Sequence, residues 1–188
     1  MPHENVLQIN NRTDFRAWLT ENHATEKECY IVCKRGKPTD ADMLYYIDAV
    51  EEALCFGWID STIREVDGVN MQRFSPRSKK GNWTELNKER CRRLERLGLM
   101  TEAGRAVMPN LNEKFVIDKE IEAELKKARV WTKFRLLHPL YQRVRVSNLA
   151  FYKKHYPMSY ERMLTHTIEE TKKGNTFGEW NDYGRLLD

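Results

Sequence analysis

No run of apolar residues in this chain approaches the ~18 that a membrane-spanning helix needs, so no span is expected. The opening stretch, MPHENVLQINNRTD, lacks a basic segment followed by an apolar one. That leaves no secretory leader to read, and a cytoplasmic protein is the expectation. GxSxG, HExxH, GxGxxG and GxxxxGK[ST] do not occur, so the chain carries no sequence signature of a serine hydrolase, zinc peptidase, dinucleotide binder or P-loop enzyme. GKPTD, at residues 36–40, lacks the second Gly-Lys-Ser/Thr element of a phosphate loop.

Cysteines are few and unpaired in pattern: Cys29, Cys33, Cys55 and Cys91, with no CxxC. Cys29 and Cys33 share a face if their run is a strand, and ordinary buried thiols in a reducing compartment are the expectation. No second Cys or His pair stands at ligand spacing, so neither zinc nor any other metal or cofactor is expected. The five histidines (His3, His23, His138, His155 and His166) have no nucleophile near them in sequence.

What is present is enough bulky side chain for a core: five Trp, seven Phe and eight Tyr among 188 residues. The net charge is +4, but its placement says more than its size. Residues 72–96 hold nine Lys/Arg against three Glu (Glu85, Glu89, Glu95). This local basicity points either to an anionic partner at one surface or to a solvated helix face.

Periodicity reads as a short helix capped by Thr13, a strand over about 28–35, and a helix capped by Thr39 or Asp40. That second helix buries Met43, Ile47, Val50 and Leu54, and Gly57 ends it. Asp67-Gly68 between two strand-like runs is a hairpin signal, giving antiparallel strands near 61–66 and 69–75. Asn82 to Glu85 has capping-box spacing for a further helix ended by Gly98. Helices follow to Gly174, the last capped by Ser159 with Met158 and Met163 as a staple. A tail containing Phe177, Trp180 and Tyr183 is expected to pack back on the body. The fold class expected is α+β: a small antiparallel sheet of about three strands with several helices and an all-helical C-terminal half. The expected division is an α+β domain over 1–115 and a helical subdomain over 116–188.

One candidate site emerges. Asp60 ends the apolar run LCFGWID at the mouth of the hairpin. With Val66 and Val69 paired across the turn, Ser61 opposes about Phe74, which puts Arg73 or its loop neighbours near Asp60. Asp60 is then either a structural carboxylate or one that orients an arginine for binding an anion. Arg77, Lys79 and Lys80 precede a helix start expected at Asn82, and helix starts attract anions. Trp83 either stacks on a ligand ring or anchors the helix.

The stretches ALCFGWIDS, RFSPRS, NWTELNKERCRRLERLGLMTEAG and VRVSNLAFYKKHY resemble the YdeI/OmpD-associated family, also labelled bacteriocin-protection proteins. The resemblance covers most of the chain and is strongest over 53–104. It implies a role in stress tolerance or protection from peptide antibiotics, with no defined reaction. The positions carrying the motif are Gly57, Trp58, Ile59, Asp60, Ser61, Arg77, Trp83, Asn87, Lys88, Gly98, Met100 and Gly104. Gly81 stands where members often have serine.

The function expected is therefore binding of a small anionic or nucleotide-like ligand, without covalent chemistry, at Trp58, Asp60, Arg73, Arg77, Lys79, Lys80, Asn82, Trp83 and Asn87. The alternatives are a protein-interaction or stress protein with no ligand, and sequence-independent nucleic-acid binding through residues 73–96. Interleaved Glu85, Glu89 and Glu95 weaken the last of these.

Overall fold

Asp67 and Gly68 adopt positive φ (50° and 78°), the geometry of a two-residue hairpin turn whose twist matches its strands. The computed structural model describes residues 5–78 and 81–187. In it the turn joins β2 (Trp58–Val66) to β3 (Val69–Pro76), and β1 (Cys29–Ile31) adds antiparallel on the other side of β3. The sheet order is β1-β3-β2. With eight α-helices among the described residues, and only helices after β3, the fold is α+β.

The hairpin register is regular from Val66↔Val69 to Ile63↔Gln72, then shifts. Beyond the shift Asp60 opposes Phe74, Ile59 opposes Ser75 and Trp58 opposes Pro76. Continued without a bulge, the register would set Asp60 against Ser75, on the face that carries Arg73. The extra residue turns Asp60 to the face of Gln72 and Phe74 instead, because one step of slip exchanges the two faces of a strand.

By its contacts the chain forms two compact units. The first comprises Met1–Asn82 and Arg90–Leu111; the second comprises Trp83–Glu89 and Asn112–Asp188. The first holds the sheet, α1 (Arg12–Asn22), α2 (Tyr46–Cys55) and α4 (Glu102–Val107). Helix α3 (Glu85–Arg96) has its first residues in the second unit and the rest, from Arg90, in the first.

Helix starts differ from the periodicity reading for identifiable reasons. Asn11, not Thr13, caps α1, its Oδ1 accepting from the Asp14 N–H at 2.9 Å. Helix α2 begins at Tyr46 rather than near Asp40. The backbone N–H of Lys34 donates to the Leu44 carbonyl and that of Tyr46 to the Lys34 carbonyl, each at 2.9 Å, which holds Tyr45 in extended geometry beside Lys34. Met43 thus precedes the helix and is exposed. The cap of α3 is Thr84, whose Oγ1 accepts from Asn87 N–H at 3.2 Å. Gly57 does take the left-handed conformation that ends α2, with φ 74°.

From Ile47 to Cys55 every residue of α2 is buried, including Asp48, Glu51 and Glu52. Arg12 meets all three carboxylates, with Glu51 at 2.7 Å, Glu52 at 2.5 Å and Asp48 at 3.3 Å. Arg16 reaches Glu52 at 2.6 Å and Arg93 reaches Glu51 at 2.8 Å. Buried carboxylates persist only when paired in this way. Apolar packing completes the unit, with Phe15 against Phe74 and Trp18 edge-on to Trp58.

The second unit contains α5 (Lys119–Lys127), α6 (Trp131–Leu136), α7 (Pro139–His155) and α8 (Pro157–Lys173). Ile121, Leu125, Phe134, Tyr141, Leu149 and Leu164 form its core, and the tail residues Phe177 and Trp180 pack against them. Proline takes the first position of α8, so Ser159 is not its cap. Met158 is 92% exposed, so the expected staple does not form. No described helix is long and apolar enough to cross a membrane.

Candidate functional site

Because the bulge turns Asp60 toward α2, its carboxylate meets the first residue of that helix: the Tyr46 hydroxyl donates to Asp60 Oδ2 at 2.6 Å. Burial raises the Tyr46 phenol well above its ordinary pKa, and the charge and hydrogen bond of Asp60 raise it further. The phenol therefore stays a neutral donor at physiological pH.

Arg35 lies over the ring of the same tyrosine, its guanidinium carbon 3.8 Å from the centroid. One of its Nη atoms donates to Gln72 Oε1 at 2.9 Å. Gln72 is buried in β3 and donates in turn to the Ser61 carbonyl at 3.1 Å. A ring and an amide thus restrain Arg35, while its residue remains exposed. Among the described residues it has no carboxylate partner.

Arg77 extends the same neighbourhood. Its backbone N–H donates to the Gly57 carbonyl at 2.8 Å, which continues the β2–β3 pairing past the last strand residue. Its guanidinium is buried and gives Nη2 to the Asn82 carbonyl. Burial lowers the Arg77 pKa, and Cys91 and Asp60 oppose that shift. Arg90, also buried, acts electrostatically on Tyr46 in the same direction as Arg35. Cys33 completes the cluster: burial pushes its thiol up to about 12, with Arg35 opposing and Asp60 reinforcing. At neutral pH it is a thiol rather than a nucleophilic thiolate.

The residues named from sequence separate into groups. Asp60, Arg77 and Asn82 belong together in the first unit, Asn82 through its backbone carbonyl. Arg73 does not join them. It lies opposite Tyr30 of β1, binds Glu28 through Nε at 2.7 Å and donates to Ser61 Oγ at 2.9 Å. The bulge is the reason: it moves Asp60 off the face of Arg73.

Trp58 is a core side chain, 1% exposed, with its indole N–H on the His23 carbonyl at 3.1 Å. Trp83 and Asn87 belong to the second unit, where the Asn87 backbone N–H is held by the Thr84 cap. Lys79 and Lys80 lie outside the described residues. The Gly81 N–H donates to the Ser78 carbonyl at 2.9 Å.

Arg35, Tyr46 and Gln72 were not read from sequence. Arg35 ends the run ECYIVCKR and Tyr46 stands at the true start of α2, but neither position carries a motif. The basic segment, by contrast, is directed largely at the protein itself. Arg92 donates from Nε and Nη2 to the Leu111 carbonyl, Arg93 pairs with Glu51, and Lys88 pairs with Glu85 within one turn of α3.

Residues 7–107 match the model of a family described as a domain of unknown function (DUF8412). No curated protein and no solved structure matches the chain. The matched span is more than half of the 188 residues and runs from ahead of α1 to the end of α4, so it takes in Arg35, Tyr46, Asp60 and Arg77. The chain belongs to the DUF8412 family.

Proposed function

We propose that the first unit binds a small anion, or the anionic group of a nucleotide-like ligand, without covalent chemistry. Arg35 is the contacting cation, and Tyr46 and Asp60 hold the ground beneath it. The observation that carries this reading is Arg35 itself. Arg35 is an exposed residue whose guanidinium is restrained by the Tyr46 ring and by Gln72, with no carboxylate taking up its donors among the described residues. A guanidinium restrained before binding loses little freedom when an anion arrives, and its planar fork suits carboxylate and phosphate oxygens.

Cys33, held as a thiol, and Tyr46, held as a phenol, favour binding over nucleophilic chemistry in this reading. The resemblance to the YdeI/OmpD-associated proteins lends it a setting, stress tolerance or protection from bacteriocins, through Gly57, Asp60, Arg77 and Gly104. Nucleic-acid binding through 73–96 has less support, since Arg92, Arg93 and Lys88 are turned to internal acceptors.

Titrating the chain with inorganic phosphate, adenosine monophosphate and adenosine at low salt tests the proposal. The two anions are expected to raise the thermal midpoint and adenosine is not. Equal behaviour of all three would remove the basis for an anion site.

A further inference from the structure

Arg145, on α7, is a buried arginine without an acid. It is 6% exposed and no carboxylate pairs with it among the described residues. Its guanidinium lies 3.6 Å from the centroid of the Phe177 ring and 5.3 Å from that of Tyr141. Nη2 donates to the Phe177 carbonyl oxygen at 2.6 Å, while Nε is buried with no hydrogen-bond partner. The buried Tyr141 hydroxyl likewise has no partner at hydrogen-bond geometry, although Arg145 is near enough to act on it. Burial lowers the Arg145 pKa, and Tyr141 alone opposes the shift. Burying a cation this fully without an anion is costly, and leaving an N–H unmet adds to the cost.

The tail creates this arrangement. Gly174 ends α8 in the left-handed conformation, φ 79°, and the chain turns so that Phe177 lies against α7 and α8. The Phe177 ring also sits 4.3 Å from that of His166. Both residues line an open groove of about 410 Å³ whose other walls are Tyr152, Ser159, Arg162 and Met163. Phe177 is thus the residue shared by the groove and the buried guanidinium.

A single carbonyl oxygen fills only half of the Nε/Nη2 edge. A carboxylate fills both positions with parallel hydrogen bonds and brings the missing charge. We infer that Arg145 is the receptor of a second ligand site, for an aromatic carboxylate such as the C-terminal residue of a peptide ending in Phe. Phe177 is its built-in occupant. The incoming ring takes the place of the Phe177 ring on the guanidinium, and its two oxygens engage Nε and Nη2. Residues preceding it run along the groove past His166 and Arg162. This site lies wholly in the second unit and does not depend on the anion site of the first.

The test uses the whole chain labelled with ¹⁵N and three probes: N-acetyl-Ala-Ala-Phe, its C-terminal amide, and N-acetyl-phenylalanine. The free-acid peptide is expected to bind and to shift the amide signals of Phe177, Gly178 and Trp180, with the amide at least tenfold weaker. Phe177→Ala, which removes the occupying ring but keeps the carbonyl on Nη2, is expected to tighten binding of the acid about tenfold, because only the main-chain contact then has to be displaced. N-acetyl-phenylalanine binding as tightly as the tripeptide assigns the site to a free aromatic acid; weaker binding assigns it to a peptide end. Equal affinity for acid and amide overturns the inference. So does absence of binding to both the wild-type chain and Phe177→Ala, and Arg145 is then only a latch for the tail.

Discussion

Asp60 receives the Tyr46 hydroxyl at 2.6 Å, and Arg35 rests on the ring that carries that hydroxyl. Tyr46→Phe keeps the ring under Arg35 but leaves a half-buried carboxylate short of a donor. A loss of about 1–3 kcal/mol is expected, which is the cost of an unmet polar group. Chemical denaturation measures it, and a change below about 0.5 kcal/mol would mean that solvent replaces the hydroxyl. Asp60 was visible in the sequence as a carboxylate out of place after an apolar run. Its partner was not. The choice between Arg73 and Tyr46 rests on one bulge, and a bulge leaves no mark in the alternation of WIDSTIREV.

Elements were legible where local chemistry decides them. The Asp67-Gly68 turn and the left-handed glycines at 57, 98 and 174 all stand where the sequence put them. Starts of helices were less legible, because a partner distant in sequence sets them, as the Lys34–Tyr45 bridge does for α2. The polar side of α2 was hidden for the same reason. An amphipathic stripe implies a wet opposite face, but arginines from α1 and α3 cover that face and pair with Glu51 and Glu52.

Gly104 in α4 has an element-level role too. A Cβ there would collide with the Cys55 carbonyl oxygen at the end of α2, the same oxygen that accepts from Thr101 Oγ1 at 2.6 Å. Gly104→Ala is expected to cost about 1–3 kcal/mol through overpacking, despite alanine's better helix propensity, and an unchanged midpoint of denaturation would contradict this.

At the start of α5, Asp118 accepts from the N–H groups of Glu120 and Ile121 and pairs with Lys153 at 2.8 Å. Burial alone would raise its pKa. The hydrogen bonds from Lys153 and from the two N–H groups outweigh burial and lower it. A depressed folded pKa gives stability that is complete above the ordinary aspartate value of about 3.9 and is lost as pH falls through the folded value. The thermal midpoint of Asp118→Asn should therefore lie below that of the wild type at pH 6. The gap should close as both are titrated toward pH 2; a gap independent of pH would exclude the charge as its source.

For the whole molecule, composition and periodicity were enough to read α+β, because the sheet closes locally through one hairpin and the remaining chain is helical. The site was legible only in part, since it is made by convergence of the segment after β1, the start of α2 and the bulged hairpin. Net charge pointed to the basic segment, yet burial and internal pairing take up much of that charge. The exposed cation at the candidate site is Arg35, outside the segment.

The most direct measurement is a calorimetric titration of phosphate or adenosine monophosphate into three proteins at low salt: the wild type, Arg35→Gln and Arg73→Gln. Both arginines are on the sheet unit, but the bulge places Asp60 with the first and away from the second. An anion site at Arg35 predicts binding to the wild type, unchanged binding to Arg73→Gln, and at least a tenfold loss in Arg35→Gln, as removal of a charge-assisted contact implies. No binding to the wild type, or an equal loss in both variants, would contradict it.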